Sequence, residues 1–326
     1  MSAEICFAHL SDWHATSLKG GGAALLRGKR ISGFASWALN RRRYHDPAIL
    51  AAAIEDVHAI GPDRILVTGD LTHVSLESEF RAAAGQLASL GTAEQVFLVP
   101  GNHDCYVPTR PERSWDHWAD YLRGDSGAEG DGEGERGALD VTPPLASNPP
   151  AGHAPCYADY PMLRMHGGLA MIGLCSAIPT PIFRAGGVLG EKQLERLEGL
   201  LGILGERGCF RVVMIHHPVA AKGEPARRAL LDGDELRGVL GRAGAELVLH
   251  GHKHRRRVNY VPGPEADVPI IGVPSSSEVG SKPDKAAQYH VYRVTKSGAG
   301  FSLKAEVRGY DAVTKRFVRV DESLLG

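Results

Sequence analysis

The sequence predicts an α/β protein in which parallel strands alternate with helices. Two observations carry that prediction. Three apolar runs, in "ICFAHLSDWH", "RILVTGD" and "QVFLVPGNHD", are separated by two stretches of helical periodicity, and a βαβαβ order implies parallel strands joined by right-handed crossovers. Each run also ends in a polar cluster, SDWH, GDLTH or GNHD. Open α/β sheets place their ligands beyond the carboxyl ends of the strands, so the three clusters are expected to converge.

Each element has a local reason. The first run leads into Asp12 and His14, and side chains alternate across a strand, so the two share a face if the extended conformation continues. In "DPAILAAAIEDVHAIGPD", Asp46 serves as N-cap and Pro47 takes the first helical position, with Ile49, Leu50, Ala53, Ile54 and Val57 on one face until Gly61 and Pro62 stop the helix. A second helix runs from Leu76 to Leu90 with Phe80, Ala83, Ala84 and Leu87 inward. Residues 124–152 are rich in Gly, Pro and acidic side chains and cannot bury enough surface to offset their ordering entropy, which makes them a surface insertion.

Beyond the insertion, "MLRMHGGLAMIGL" reads as a hairpin turning at Gly167 and Gly168. There follow a helix through Leu194, Leu197, Leu201 and Leu204, a strand "FRVVMI" ending in HHP, a helix from Asp232 to Ala243, and a strand "ELVL" ending in HGHKH. Short β segments complete the chain from Val258. A single domain spanning residues 1–326 is expected.

Composition bounds the function. The 326 residues hold 37 Lys and Arg against 38 Asp and Glu, so no global field favours nucleic acid or a membrane surface. Fifteen His, many beside Gly, Asp or Asn at the ends of apolar runs, direct attention to metal chemistry. The five cysteines are widely spaced and form no CxxC, which fits a reducing compartment. The N-terminus reads as a strand and not a signal peptide, and no apolar stretch reaches the roughly 18 residues of a spanning helix. A cytoplasmic protein, soluble or peripheral at the inner face of the membrane, is the expectation.

Five strand ends carry metal-type ligands: Asp12 and His14; Asp70; Asn102, His103 and Asp104; His216 and His217; His252 and His254. The ordered set D-x-H, GD, GNHD, H, GHxH resembles the calcineurin-like metallophosphoesterase superfamily. The resemblance implies a four-layer αββα sandwich with two mixed β-sheets, and hydrolysis of a phosphodiester or pyrophosphate bond by a metal-bridging hydroxide at a centre of two ions. It gives Asp12, His14, Asp70 and His254 to one ion, and Asp70, Asn102, His216 and His252 to the other. A carboxylate bridges where imidazole cannot, which also singles out Asp70, the only acid of its cluster. The mixed O/N set suits Mn, Fe or Zn, with Mn favoured.

By the same resemblance His103 stabilises the transition state or protonates the leaving oxygen, and Asp104 is positioned to orient its imidazole. His73 and His217 are candidate substrate-binding residues at the rim, with an ordinary polar loop as the alternative; His250, His9 and His58 read as structural. A serine or cysteine nucleophile lacks its motif, and a non-catalytic scaffold of the same fold would have lost a ligand, whereas none is missing.

Residues 19–45 form a basic cap insertion in which Lys19, Arg27, Lys29, Arg30, Arg41, Arg42 and Arg43 surround apolar residues, with Ile31, Phe34, Ala35 and Ala38 on one helical face. Basic amphipathic helices with Phe and Trp suit a membrane interface, and Arg41, Arg42 and Arg43 become candidate contacts for a lipid-linked substrate. The alternative is a cap packed over the core; single-stranded nucleic acid is disfavoured by the scarcity of aromatics. The wording is similar both to the UDP-2,3-diacylglucosamine pyrophosphohydrolases and to cyclic-nucleotide phosphodiesterase-like proteins. His73 stands where the latter carry Asn or Asp.

Overall fold

The structure, a computed structural model, describes residues 4–39, 41–125, 148–219, 224–280, 283–298 and 300–325. Twelve strands are described: β1 (Ile5–Leu10), β2 (Arg64–Val67), β3 (Val96–Leu98), β4 (Met162–His166), β5 (Leu169–Gly173), β6 (Phe210–Met214), β7 (Leu247–His250), β8 (Arg257–Val261), β9 (Val268–Gly272), β10 (Gln288–Ser297), β11 (Gly300–Asp311) and β12 (Arg316–Leu325). The helices are α1 (Arg30–Leu39), α2 (Pro47–Ile60), α3 (Glu77–Leu90), α4 (Ala119–Leu122), α5 (Glu191–Glu206) and α6 (Gly233–Ala243).

The strands form two mixed six-stranded sheets, in the orders β12-β11-β10-β1-β2-β3 and β4-β5-β6-β7-β9-β8. In the first, β1, β2 and β3 are parallel, and β10 joins β1 antiparallel. In the second, β5, β6, β7 and β9 are parallel, and the predicted hairpin supplies antiparallel β4. Alternation along each strand divides the core. On β1, Ala8 and Leu10 pack with Leu50, Ala53 and Phe80 of α2 and α3, whereas Phe7 faces Met171, Met214 and Leu247 of the other sheet. On β6, Val213 packs with Leu197 and Leu201 of α5, whereas Met214 faces inward. The result is the expected sandwich of helices, sheet, sheet and helices.

Helix α2 begins as its sequence dictates: the Asp46 carboxylate accepts the Ala48 N–H at 2.8 Å, and Gly61 ends the helix at φ 64°. Helix α1 packs one side onto the body of the protein. Phe34 and Trp37 turn inward against Leu18, Leu25, Val74, Leu76 and Tyr106, while Ile31 and Leu39 are exposed. Gly33 sets this orientation, because a Cβ there would stand 2.5 Å from Val74 Cγ1. Two of the cap's basic residues anchor it: Arg30 Nε donates to Val74 O at 3.0 Å, and Lys29 Nζ reaches Thr180 Oγ1 at 2.8 Å while lying 4.2 Å over the Tyr106 ring. Of the 124–152 insertion, residues 126–147 lie outside the described residues; at its base Asn148 Nδ2 donates to Gly124 O at 2.9 Å.

Candidate metal centre

The loops after β1, β2, β3, β6 and β7 meet at one end of the sandwich. Asp12 and His14 converge, though not by strand alternation: their φ values are 52° and 40°, left-handed and no longer extended. Asp70, His252 and His254 share this conformation, at 59°, 69° and 49°. Left-handed backbone costs a non-glycine residue roughly 1–2 kcal/mol. Five instances among seven candidate ligands mark backbone held for side-chain placement. Gly101 and Gly251 permit the close approach: a Cβ at Gly101 would collide with Asp70 Oδ1, and one at Gly251 with Asp12 Oδ2.

Side chains from separate loops come together in three groups whose donor atoms lie within 4.8 Å of one another: Asp12, His14 and His254; His14, Asp70 and His103; Asp70, His216 and His252. Asp70 Oδ2 stands between the outer two, 3.6 Å from His14 Nε2 and 3.4 Å from His216 Nε2. Asn102 joins the last group, its Oδ1 being 2.8 Å from His252 Nδ1 and 3.1 Å from His216 Nε2. Asp70 thus stands in two of the three groups, with His14 and His103 in one and with His216 and His252 in the other.

The donor set fits bound cations. His14 and His216 each donate Nδ1–H to a main-chain carbonyl, of Thr72 at 2.6 Å and Thr68 at 2.7 Å, which leaves Nε2 as the electron-pair donor. His14 Nε2 is buried without a hydrogen-bond partner. At the other set, lone pairs of Asp70, Asn102, His216 and His252 point at one another, an arrangement that requires positive charge among them. Protons supply it in the absence of metal. Burial opposes charge on His216, but Asp70 and Asp12 override it and push the pKa up to about 9. His254 behaves alike: Asp12 and Glu278 overcome burial and raise it to about 9. Burial acts to raise Asp12, yet His254 holds its carboxyl below the ordinary value. His14 is pushed well down by burial and by His103, His45 and His73, and His252 by burial and by His217 and His216, so both stay neutral, as ligands must be.

His103 enters the centre with Nδ1–H donated to His73 O at 2.6 Å and its ring stacked on Tyr106, centroids 5.5 Å apart. Asp104 corrects the expectation. Its carboxylate does not orient the neighbouring imidazole; it accepts the N–H groups of Asp70 (2.8 Å), Leu71 (3.0 Å), Thr72 (3.0 Å) and Gly101 (2.9 Å). Four converging main-chain donors outbid a single imidazole, and the residue staples the GDLT loop to the GNHD loop. Burial and the Asp70 charge raise its pKa to about 7 against those donors.

His73 is nearly buried and stacks on His14, with centroids 5.3 Å apart, while the edge of Trp37 covers it at 6.4 Å. Its turn is held by Glu79, which accepts from His73 N, Val74 N, Leu76 N and Thr16 Oγ1. His217 lies behind the ligands and not at the rim: fully buried, it accepts from Ser176 Oγ at 2.8 Å and donates Nε2–H to Ala185 O at 3.2 Å, so both ring nitrogens are engaged by protein. Arg42 and Arg43 are exposed in the turn Arg41–Arg43; the Arg41 side chain lies outside the described residues.

Sequence reasoning missed two residues. Glu278 is buried and accepts from His254 Nδ1 at 3.2 Å, the kind of carboxylate partner that fixes the tautomer of a metal-binding imidazole. His45, at the end of the cap, has its ring 4.9 Å from that of His14. Neither lies at the end of an apolar run, the signal that exposed the others.

No curated protein sequence matches this chain. A dimetal phosphatase from Danio rerio is similar in structure, with TM-score 0.58 and 13% identity over 98% of this chain and 98% of that one. A purple acid phosphatase from seeds of yellow lupin (Lupinus luteus) is similar with TM-score 0.51 and 12% identity, over 98% of this chain and 53% of that one. Likeness at such identities speaks for the fold. The sequence itself matches the calcineurin-like phosphoesterases over residues 6–256, the span that holds every candidate ligand, and this chain belongs to that family.

Proposed function

We propose that this protein is a two-metal phosphoesterase that hydrolyses a phosphodiester or pyrophosphate bond. The observation that carries the reading is the pair of buried donor groups sharing Asp70 Oδ2. Asp12, His14 and His254 would hold one ion, Asn102, His216 and His252 the other, and Asp70 both. Bound ions would supply an activated water and positive charge opposite the phosphoryl oxygens, the Lewis-acid role of such centres. Manganese is the favoured metal for this mixed O/N set. His103, with Nδ1–H held by His73 O, presents Nε2 to the same place and carries the proton destined for the leaving oxygen. The complete ligand set weighs against a non-catalytic scaffold.

A lipid-linked substrate such as UDP-2,3-diacylglucosamine is favoured by the outer side of the cap. Leu26, Ile31 and Leu39 are 68%, 51% and 72% exposed there, in the same segment as the exposed Arg27, Arg42 and Arg43. Apolar and basic side chains together suit an anionic membrane surface at the cytoplasmic inner face. No helix among the described residues is long and apolar enough to cross a membrane. A soluble cyclic nucleotide or other small diester is the second reading.

The deciding experiment assays purified protein, loaded with manganese, on bis(nitrophenyl) phosphate, cyclic AMP and UDP-2,3-diacylglucosamine. Turnover of the last, lost when Arg41, Arg42 and Arg43 become Ala while diester turnover is kept, is the expected result. Inactivity on all three with both ions bound would overturn the proposal.

A further inference from the structure

A cavity of about 630 Å³ lies where three segments meet: the cap at Gly21 and Arg30, the start of α3 at Glu77 and Ser78, and the loop after β3 at Arg110 and Arg113. Its volume is that of a small-molecule site. Neither the candidate metal ligands nor His103 lines it. Three of its lining residues are arginines and one is acidic.

The arginines have donors to spare. Arg30 is fixed by two bonds, from Nε to Val74 O and from Nη2 to Ser75 O, and its Nη1 is neither bonded among the described residues nor sealed from solvent. The Arg110 side chain makes no hydrogen bond among the described residues. Arg113 has Glu77 alone, at 3.8 Å, beyond hydrogen-bond reach. Glu77 is in turn engaged by Arg81, one turn along α3. Three guanidinium groups therefore stand against one carboxylate that a fourth arginine already holds. Like charges gathered around one cavity repel, and an anion placed among them removes that cost. Helix α3 adds donors of its own. Its N-cap is Leu76, which has no side-chain oxygen for the N–H groups of Glu77 and Ser78. No aromatic ring lines the cavity, so it offers a nucleobase nothing to stack on.

We infer that this cavity is a binding site for a phosphorylated sugar or polyol, whose phosphate is held by Arg30, Arg110 and Arg113. A ligand there touches the cap, α3 and the loop after β3 at once, and so fastens the cap to the body of the protein. The site uses none of the residues of the metal centre, and the inference stands apart from the phosphoesterase reading.

Inorganic phosphate titrated calorimetrically into the manganese-loaded full chain, and into Asp70→Asn without its ions, tests the inference. Asp70→Asn should still bind one phosphate. Adding Arg110→Ala and Arg113→Ala should weaken that binding by about tenfold or more, the size of a lost charge-assisted hydrogen bond. Glu77→Gln, which removes the opposing charge, should tighten it several-fold, a change of sign that a merely structural ion pair would not produce. In the manganese-loaded chain the two arginine substitutions should lower the stoichiometry by one phosphate, and this decides the matter should Asp70→Asn not fold. Within Asp70→Asn, where no hydrolysis consumes the ligand, glucose 6-phosphate should bind more tightly than inorganic phosphate and AMP should not. Phosphate bound only by the metal-loaded chain, and equally with or without the arginines, would place it at the metal centre alone and overturn the inference. AMP binding more tightly than glucose 6-phosphate would overturn the sugar assignment. Phosphate held in the cavity by a chain that hydrolyses no ester would refute the hydrolase reading and leave this site standing.

Discussion

The Nδ1–H of His103 donates to the main-chain carbonyl of His73 across 2.6 Å, tying the GNHD loop to the GDLTH loop. The bond fixes the tautomer, so Nε2 is the atom with which His103 acts. Replacing His103 by Ala should lower turnover by roughly a hundredfold or more, the worth of a general acid or one charge-stabilising donor, while metal content stays at the wild-type level. A substrate with a very good leaving group should suffer less. Equal losses for good and poor leaving groups would restrict His103 to an electrostatic role, and loss of an ion would make it a ligand.

Asp70 offers one oxygen to both ligand sets, 3.6 Å from His14 Nε2 and 3.4 Å from His216 Nε2. Asp70→Asn should therefore remove both ions and all activity together, as measured by elemental analysis of the dialysed protein. His73→Ala should keep both ions, because His73 serves His103 through its carbonyl and not its ring. Two ions retained in Asp70→Asn would contradict the shared-ligand arrangement.

In the proposed two-metal centre, metal would compete with protons for His216 and His254, whose pKa values without metal rise to about 9. Both lie above the unfolded-state value of 6.5. The stability they lend the metal-free fold is therefore fully present below pH 6.5 and is lost as pH rises through about 9. Metal binding should release protons at pH 7.5, the release fading above pH 9. Calorimetry in buffers of different ionisation enthalpy checks the release, and thermal melts from pH 6.5 to 10 check the stability. Glu278→Gln should reduce the release and weaken metal affinity by roughly 10- to 100-fold, as loss of a ligand's outer partner does.

Acid should also act away from the centre. Burial pushes the His290 pKa down to about 3, and the ring is 2% exposed on β10, with Nδ1 3.1 Å from Tyr292 Oη. The native state binds fewer protons here than the unfolded chain, so stability falls as pH drops below 6.5 and levels off near 3. Between pH 7.5 and 5 this one group accounts for about 2 kcal/mol, at about 1.4 kcal/mol per pH unit. His290→Leu, of similar volume, should flatten the pH dependence of urea unfolding by that amount. An unchanged slope would place the proton uptake elsewhere.

Each of the five strand-end clusters was legible because the strands that carry them, β1, β2, β3, β6 and β7, are short, buried apolar runs whose ends are abrupt in sequence. Periodicity gave α2, α3 and α6 nearly to the residue, since capping and burial are local or repeat within a few turns. The role of Asp104 was not legible: adjacency to His103 suggested a side-chain pair, but four N–H groups brought by two loops claimed the carboxylate. How α1 packs was not legible either, because the close approach that Gly33 allows to Val74 and Tyr106 involves residues distant in sequence that no helical period reveals.

The sequence by itself determined the alternation of strands and helices, the strand ends and the residue types gathered there, because hydrophobic alternation and residue type act over a few positions along the chain, whereas the four-layer sandwich was implied by the family resemblance. Tertiary structure alone decided that Asp12 and His14 meet through left-handed backbone, that His217 stands behind the ligands, and that Glu278 and His45 join the centre. Those outcomes depend on which groups from distant segments satisfy one another in a buried space. Hydrogen bonds across 150 residues or more, such as those of Asn102 to His252 and of His45 to Ser277, leave no periodic trace in the chain that makes them.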